Sequence, residues 1–147
     1  MNEQVKKWLP IGTLYLAWLQ STIAMLGSLY FSEIAKFPPC VLCWYQRIAM
    51  YPLVAIIMVG MLLKDKKLPL YVFPLSITGW IIALYHNLLY YKILPESIAP
   101  CVNGVSCTTK FISWFGFITI PLLSLIAFTV INICMIVYWR LQKNYDR

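Results

Sequence analysis

Four stretches of the chain carry no charged residue and are apolar over most of their length. They are Pro10–Phe31, Ile48–Leu63, Leu68–Tyr91 and Phe111–Trp139. A helix needs about 20 predominantly apolar residues to cross the hydrocarbon core of a bilayer. The pattern therefore predicts an all-α integral membrane protein, a bundle of four transmembrane helices formed by one domain that covers residues 1–147.

Two of the stretches need adjustment before they fit a bilayer. Ile48–Leu63 has only 16 residues, but the preceding Cys43–Gln46 is apolar enough to lengthen it. Phe111–Trp139 is too long for one straight span, and Gly116 and Pro121 indicate that 111–115 lies along the interface. We predict spans at about 10–31, 44–63, 69–91 and 116–139, with loops at about 32–43 and 92–115 on one face.

Composition supports a membrane protein, because 61% of the residues are hydrophobic and only 12% are charged. Soluble domains carry about 25% charged residues. Lys6 and Lys7 resemble the basic start of a signal peptide. The apolar stretch behind them is longer than usual for a signal and no A-x-A-like cleavage site follows, so we interpret it as a span.

The net charge of +7 sets orientation rather than indicating nucleic acid. Eight basic residues lie on the side of the two termini and the 64–68 connection, namely Lys6, Lys7, Lys64, Lys66, Lys67, Arg140, Lys143 and Arg147. Four lie on the other side, namely Lys36, Arg47, Lys92 and Lys110. The positive-inside rule then predicts cytoplasmic termini. Both cysteine-bearing loops would face an oxidising compartment outside the cell.

The first cysteine pair, Cys40 and Cys43, lies at the predicted start of the second span, behind Pro38 and Pro39. Residues three apart at a helix start are close enough for a disulfide. Unpaired N–H groups and the helix dipole there favour the thiolate, which is the reactive form. The pattern fits a redox centre, a static disulfide or half of a zinc site.

A second pair, Cys101 and Cys107, encloses an Asn103-Gly104 turn that can bring the two within disulfide range. The competing interpretation is a structural disulfide that only stabilises the loop. A four-cysteine zinc site is disfavoured, because five residues separate this pair and zinc pairs usually have two to four. We therefore predict no metal site. Cys134, deep in the fourth span, is expected to be a packing residue.

Two ionisable residues lie in the predicted spans close to the first cysteine pair. Arg47 follows Cys43 by four residues and shares its helical face. It either extends to lipid headgroups or stabilises negative charge on a thiolate or an acceptor oxygen. His86, the only histidine, lies about 9 Å below Lys92 by helical rise. It is either a packing residue or part of a site, with Gln46 and Asn87 as possible neighbours, and Gln20 in the first span can also reach the bundle interior.

Trp and Tyr residues near the predicted interfaces indicate an aromatic belt. They are Trp8, Trp44, Tyr45, Tyr90, Tyr91, Trp114, Tyr138 and Trp139. Those near Cys43 would alternatively line a site for a flat ligand.

Taken together, these residues resemble the DsbB family of membrane thiol:quinone oxidoreductases, and more closely its shorter BdbC-type members. The resemblance is carried by the segment Cys40–Arg47, the pair Cys101 and Cys107, and His86. It covers essentially the whole chain. It implies a bacterial cell membrane location, a thioredoxin-fold partner of the DsbA or BdbD type, and menaquinone or ubiquinone as electron acceptor. The DsbA–DsbB–quinone system keeps a bacterial periplasm oxidising, so that role follows from the resemblance alone.

The resemblance also implies residue roles. Disulfides Cys40–Cys43 and Cys101–Cys107 would act in series: the partner attacks Cys101, Cys107 then attacks Cys40, and Cys43 is left as a thiolate facing quinone. Arg47 would stabilise the developing negative charge, and His86 would lie near the quinone ring. This chain departs from some relatives in the close spacing of its second pair and in having Gln46 where they carry an acidic residue.

Two other functions remain open from the sequence. One is a thiol-driven quinone or epoxide reductase of the vitamin K type, although such proteins usually carry the C-x-x-C pair late in the bundle. The other is a non-catalytic membrane protein stapled by disulfides.

Overall fold

The computed structural model describes residues 3–95 and 119–145, and the second cysteine pair and segment 111–115 lie outside them. Within these ranges the chain forms four α-helices: α1 is Glu3–Leu29, α2 is Val41–Leu62, α3 is Leu68–Tyr90 and α4 is Ile120–Tyr145. Each helix is long and apolar enough to cross a membrane. The predicted all-α fold with four spans is confirmed.

The helices form a ring in which α1 and α3 each contact both α2 and α4. The core between them contains the fully buried residues Leu53, Ile57, Val72, Phe128 and Ile131. Close approach depends on small residues, as in other membrane bundles. A side chain at Gly60 would meet Leu68, and one at Gly79 would meet the ring of Phe128.

Hydrogen bonds between side chains connect α3 to α4 through the core. Ser76 donates to Asn132 Oδ1 at 2.7 Å, and Trp80 Nε1 donates to Thr129 Oγ1 at 2.9 Å. At one end of the bundle, Asn87 Nδ2 donates to the carbonyl of Pro121 at 2.8 Å. These bonds fix the start of α4 against α3, which matters for the site because both helices line it.

The helix ends share an uncommon feature. Lys36, Lys64 and Lys92 have positive φ values of 54°, 52° and 56°. Each follows a helix at the position where glycine usually takes the left-handed conformation. After α2, Lys64 N–H bonds the Met61 carbonyl and Asp65 N–H bonds the Gly60 carbonyl, and α3 ends in the same way at Lys92. The lysines thus end the helices at some cost in backbone strain.

Among the helix boundaries that differ from the predicted span limits, two bring residues to the same end of the bundle. Helix α2 begins at Val41 instead of 44, because Cys40 is its N-cap and accepts a hydrogen bond from Cys43 N–H at 3.3 Å. Helix α1 continues through a π-helical turn, Tyr30–Ile34, beyond the predicted end at 31. We call this the cysteine end: Leu29, Cys40, Tyr90 and Ile120 mark its four helix termini.

Candidate redox site at the cysteine end of the bundle

Cys40 and Cys43 lie in and just before the first turn of α2, with their Sγ atoms 2.7 Å apart. Cys40 is buried, with 5% of its surface exposed, and Cys43 is half-buried. Both are free thiols in the structure. The predicted Cys40–Cys43 disulfide stays a prediction, but helix geometry brings the two sulfurs together at a helix N-terminus, which favours thiol–disulfide exchange.

His86 of α3 contacts both the cysteine pair and α2. Its Nε2 lies 3.8 Å from Cys40 Sγ, and its Nδ1 lies 3.1 Å from Gln46 Nε2. An amide nitrogen can only donate, so Nδ1 accepts and the ring hydrogen is on Nε2. His86 therefore directs an N–H at Cys40, and Gln46 holds the ring in this tautomer.

The hydrogen bonds around Cys40 favour its ionised form. Cys40 precedes the membrane-spanning segment, which begins at Val41. The hydrogen bond with Cys43 lowers the pKa of the Cys40 thiol, and the contact with His86 lowers it further, while burial acts in the opposite direction. In the reduced pair, Cys40 is therefore the residue on which negative charge is best stabilised.

Arg47, one turn beyond Cys43, connects α2 to the end of α1. Its Nη2 donates to the Ser28 carbonyl at 3.0 Å, and its guanidinium lies 5.4 Å from the centre of the Trp44 ring. The sequence predicted that Arg47 steadies a thiolate or an acceptor oxygen. In the structure one N–H of its guanidinium, which has five, bonds the α1 carbonyl.

A cavity of about 280 Å³ lies beside the cysteine pair, bounded by all four helices and by the segment before α2. Its wall is mainly apolar, with Phe31, Phe37, Met50 and Phe128 among its residues. The polar side chains at the wall, besides the cysteines, are Gln20, Ser28, Gln46, Arg47, Tyr51, His86, Tyr90 and Ser124. An apolar cavity with a few polar groups is typical of a small-molecule site.

The cavity brings together most of the residues singled out from the sequence. Cys40, Cys43, Arg47, His86 and Gln20 all contribute to its wall. Asn87 instead bonds Ala83 and Pro121, and the buried Cys134 packs in the core.

Of the aromatic residues near Cys43, Trp44 and Tyr45 do not line the cavity and are 54% and 50% exposed, as a belt requires. Sequence reasoning missed Phe31, Phe37 and Tyr51 at the wall. Cys43, Arg47 and Tyr51 are spaced four residues apart and share one helical face, which was a signal that Tyr51 lies at the same site.

The same side chains also form a possible metal donor set. The ligand atoms of Cys40, Cys43 and His86 lie within 4.8 Å of one another. Two thiolates and an imidazole are a zinc-type combination, whereas the sequence suggested only cysteine ligands for zinc. A histidine bound to metal through Nε2 carries its hydrogen on Nδ1, which then needs an acceptor. Gln46 presents a donor to Nδ1 instead, so the observed contacts favour redox chemistry.

Comparisons with known proteins show which family the chain is similar to. The family model described as "Disulfide bond formation protein DsbB" matches residues 11–139. "Disulfide bond formation protein C" of Bacillus subtilis is 53% identical over 122 residues, which cover 83% of this chain and 88% of that protein. "Probable disulfide formation protein C" of Halalkalibacterium halodurans is 47% identical over 124 residues, 84% of this chain and 90% of the relative. No solved structure matches the chain significantly.

Proposed function

The chain belongs to the DsbB family of disulfide bond formation proteins, and we propose that it is a membrane thiol:quinone oxidoreductase. It reoxidises a thioredoxin-fold disulfide donor outside the cytoplasm, of the DsbA or BdbD type, and passes two electrons to quinone. The observation that carries the proposal is the position of Cys40 and Cys43 at the wall of a mainly apolar cavity. A lipid-soluble acceptor can reach such a cavity from the bilayer.

The relay begins with the second cysteine pair. A thiolate of the partner attacks Cys101 of the Cys101–Cys107 disulfide, and Cys107 leaves as a thiolate. Cys107 attacks Cys40 of the Cys40–Cys43 disulfide, and Cys43 leaves as a thiolate. When the partner's second thiol resolves the mixed disulfide and both disulfides of this chain have reformed, the partner dithiol has become a disulfide. Two electrons and two protons have been released.

The described residues support the second half of this relay. Cys40 caps α2, where helix N–H groups and His86 stabilise negative charge on its sulfur. Cys40 is therefore also a good leaving group when the inter-loop disulfide is resolved, since thiols of lower pKa leave faster. Cys43 remains beside the cavity as the sulfur next to the acceptor.

Arg47 and His86 fit an acceptor that gains negative charge. Quinone, when bound, takes up the two electrons and two protons. Both residues lie at the cavity wall, and Arg47 keeps its positive charge at any physiological pH. A fixed positive charge in an apolar surrounding stabilises charge that develops on an oxygen. Arg47 therefore supports electron acceptance through its charge and does not transfer a proton.

The location we propose is the bacterial cell membrane, with the cysteine end facing outside and the termini in the cytoplasm. The eight-to-four division of basic residues supports this orientation. An oxidising exterior is also where a product disulfide persists.

A single assay tests the proposed function. The purified protein is mixed with a reduced thioredoxin-fold oxidase and a 1,4-quinone, and the formation of quinol is followed by absorbance. Wild-type protein is expected to form one quinol for each partner disulfide, and Cys43→Ser is expected to form none. Cys134→Ala is the matched control, because Cys134 packs in the core away from the cavity. Quinol formation that is unchanged in Cys43→Ser would disprove the proposal.

A further inference from the structure

The hydroxyl of Tyr51 is buried and has no hydrogen-bond partner. In the part of the chain that the structure describes, two other buried side-chain atoms share this condition, Trp18 Nε1 and Asn87 Oδ1. Only Tyr51 belongs to the cavity wall. The residue that carries the orphaned hydroxyl therefore borders the place where a ligand would bind.

An unpaired buried hydroxyl is costly in the protein without ligand. Leaving such a group without a partner is unfavourable relative to leaving it in water, so buried polar groups nearly always have a partner. Phenylalanine would fill almost the same volume without this penalty. A tyrosine at position 51 is best explained if its hydroxyl gains a partner in a state that the protein visits, which for a cavity residue is the ligand-bound state.

The position of Tyr51 on α2 indicates which part of a ligand it would contact. Cys43, Arg47 and Tyr51 follow one another at intervals of four residues and all contribute to the cavity wall. Each interval corresponds to a rise of about 6 Å along the helix. Tyr51 therefore lies deeper in the bundle than Arg47, on the same face and farther from the cysteines.

We infer that Tyr51 is a quinone-binding residue whose hydroxyl donates to the quinone oxygen on the side of the ring away from Cys43. The inference rests on the proposed function, since it names a contact in that same site. It also specifies the ligand: an acceptor with two opposite carbonyl oxygens uses both ends of the face formed by Arg47 and Tyr51. A lipid tail in the cavity would leave the hydroxyl unpaired and would not explain it.

The test compares Tyr51→Phe with wild type by measurements that do not depend on turnover. Binding of a decyl-substituted 1,4-benzoquinone and of 2-methyl-1,4-naphthoquinone is titrated by quenching of tryptophan fluorescence, and thermal unfolding is followed with and without each quinone. Tyr51→Phe is expected to weaken quinone binding roughly threefold to tenfold, the effect of one hydrogen bond. The quinone-free variant should unfold at the wild-type temperature or higher, because it has lost an unpaired hydroxyl.

Tyr15→Phe is the matched control, since Tyr15 is 59% exposed on α1 and does not line the cavity. Equal quinone affinity in Tyr51→Phe and wild type would overturn the inference while leaving the proposed function intact. A lower unfolding temperature of quinone-free Tyr51→Phe would also overturn it, because the hydroxyl would then have a structural partner. Wild-type protein that neither binds nor reduces either quinone would refute the proposed function itself.

Discussion

Gln46 and His86 are joined by a hydrogen bond of 3.1 Å between α2 and α3, although 40 positions separate them in the sequence. The bond fixes the hydrogen of the His86 ring on Nε2, the atom that faces Cys40 Sγ. The amide of Gln46 therefore influences the cysteine pair without contacting it.

The first prediction concerns the pKa of Cys40. The hydrogen bond with Cys43 is the largest cause of its lowered pKa, so removing that donor should raise it. The test uses a background without Cys101, Cys107 and Cys134. As the pH falls, the Cys40 thiolate should be protonated at a higher pH in Cys43→Ala than in Cys43→Ser, because the serine hydroxyl can still donate a hydrogen bond to it. Ultraviolet thiolate absorbance measured against pH gives both midpoints. Coinciding midpoints would mean that the side chain at 43 does not stabilise the thiolate.

The second prediction is that Gln46 acts on Cys40 through His86. Gln46→Leu frees the ring to move its hydrogen to Nδ1, so the Cys40 midpoint should rise in the same titration. In a His86→Phe background the same change at 46 should have no further effect, because the residue that transmits it is gone. Two shifts that simply add would show that Gln46 works independently of His86.

The third prediction separates the two substrates of the proposed reaction. Arg47→Ala should raise the KM for quinone roughly tenfold or more, as expected when a charged hydrogen-bond partner is lost. The KM for the reduced thioredoxin-fold partner should stay near wild type, because Arg47 lies at the cavity wall. Arg47→Lys keeps the charge but not the planar guanidinium, so its KM for quinone should lie between those of wild type and Arg47→Ala. A defect confined to partner KM would contradict the assignment of Arg47.

The fourth prediction concerns packing between α3 and α4. A Cβ at Gly79 would collide with the ring of Phe128, which is fully buried and also lines the cavity. Gly79→Ala should lower the free energy of unfolding by about 1–3 kcal/mol, the usual cost of overpacking. Gly12→Ala is the control, because nothing lies within 4 Å of its added carbon. Equal unfolding temperatures of the two variants would show that Phe128 moves aside freely.

The fifth prediction fixes orientation. A reporter that is active only in the cytoplasm, fused after Arg147, should be active, and a reporter that needs export should be inactive at the same site. The expectation follows from the excess of basic residues at that end. Activity of the exported reporter would reverse the orientation of the whole bundle and place the cysteine end inside.

The sequence predicts the number and approximate position of the helices well, because uncharged runs of bilayer length have few alternative structures. It also predicts the grouping of Cys40, Cys43, Arg47 and His86, since depth in the membrane follows from helical rise. Cys134 behaves as expected for a small apolar residue in the core.

Contacts that depend on how the helices are rotated about their axes could not be predicted. Gln46 meets His86 only because α2 and α3 pack with those faces together. The Arg47–Ser28 bond joins α2 to the last turn of α1, next to the π-helical turn Tyr30–Ile34, which no hydrophobic pattern reveals. The unpaired hydroxyl of Tyr51 depends on how the helices pack around it, which the sequence does not reveal.

The lysines that end the helices connect stability to membrane insertion. Lys64 and Lys92 hold left-handed conformations that glycine would adopt without strain. Each is also one of the few positive charges that bias which side of the membrane a loop stays on. Lys64→Gly would relieve the backbone but remove a charge from the side that we propose is cytoplasmic, whereas Lys92→Gly would relieve it and strengthen the proposed bias. The two glycine substitutions therefore differ in their effect on membrane insertion. Lys64→Gly works against the proposed orientation, and Lys92→Gly assists it.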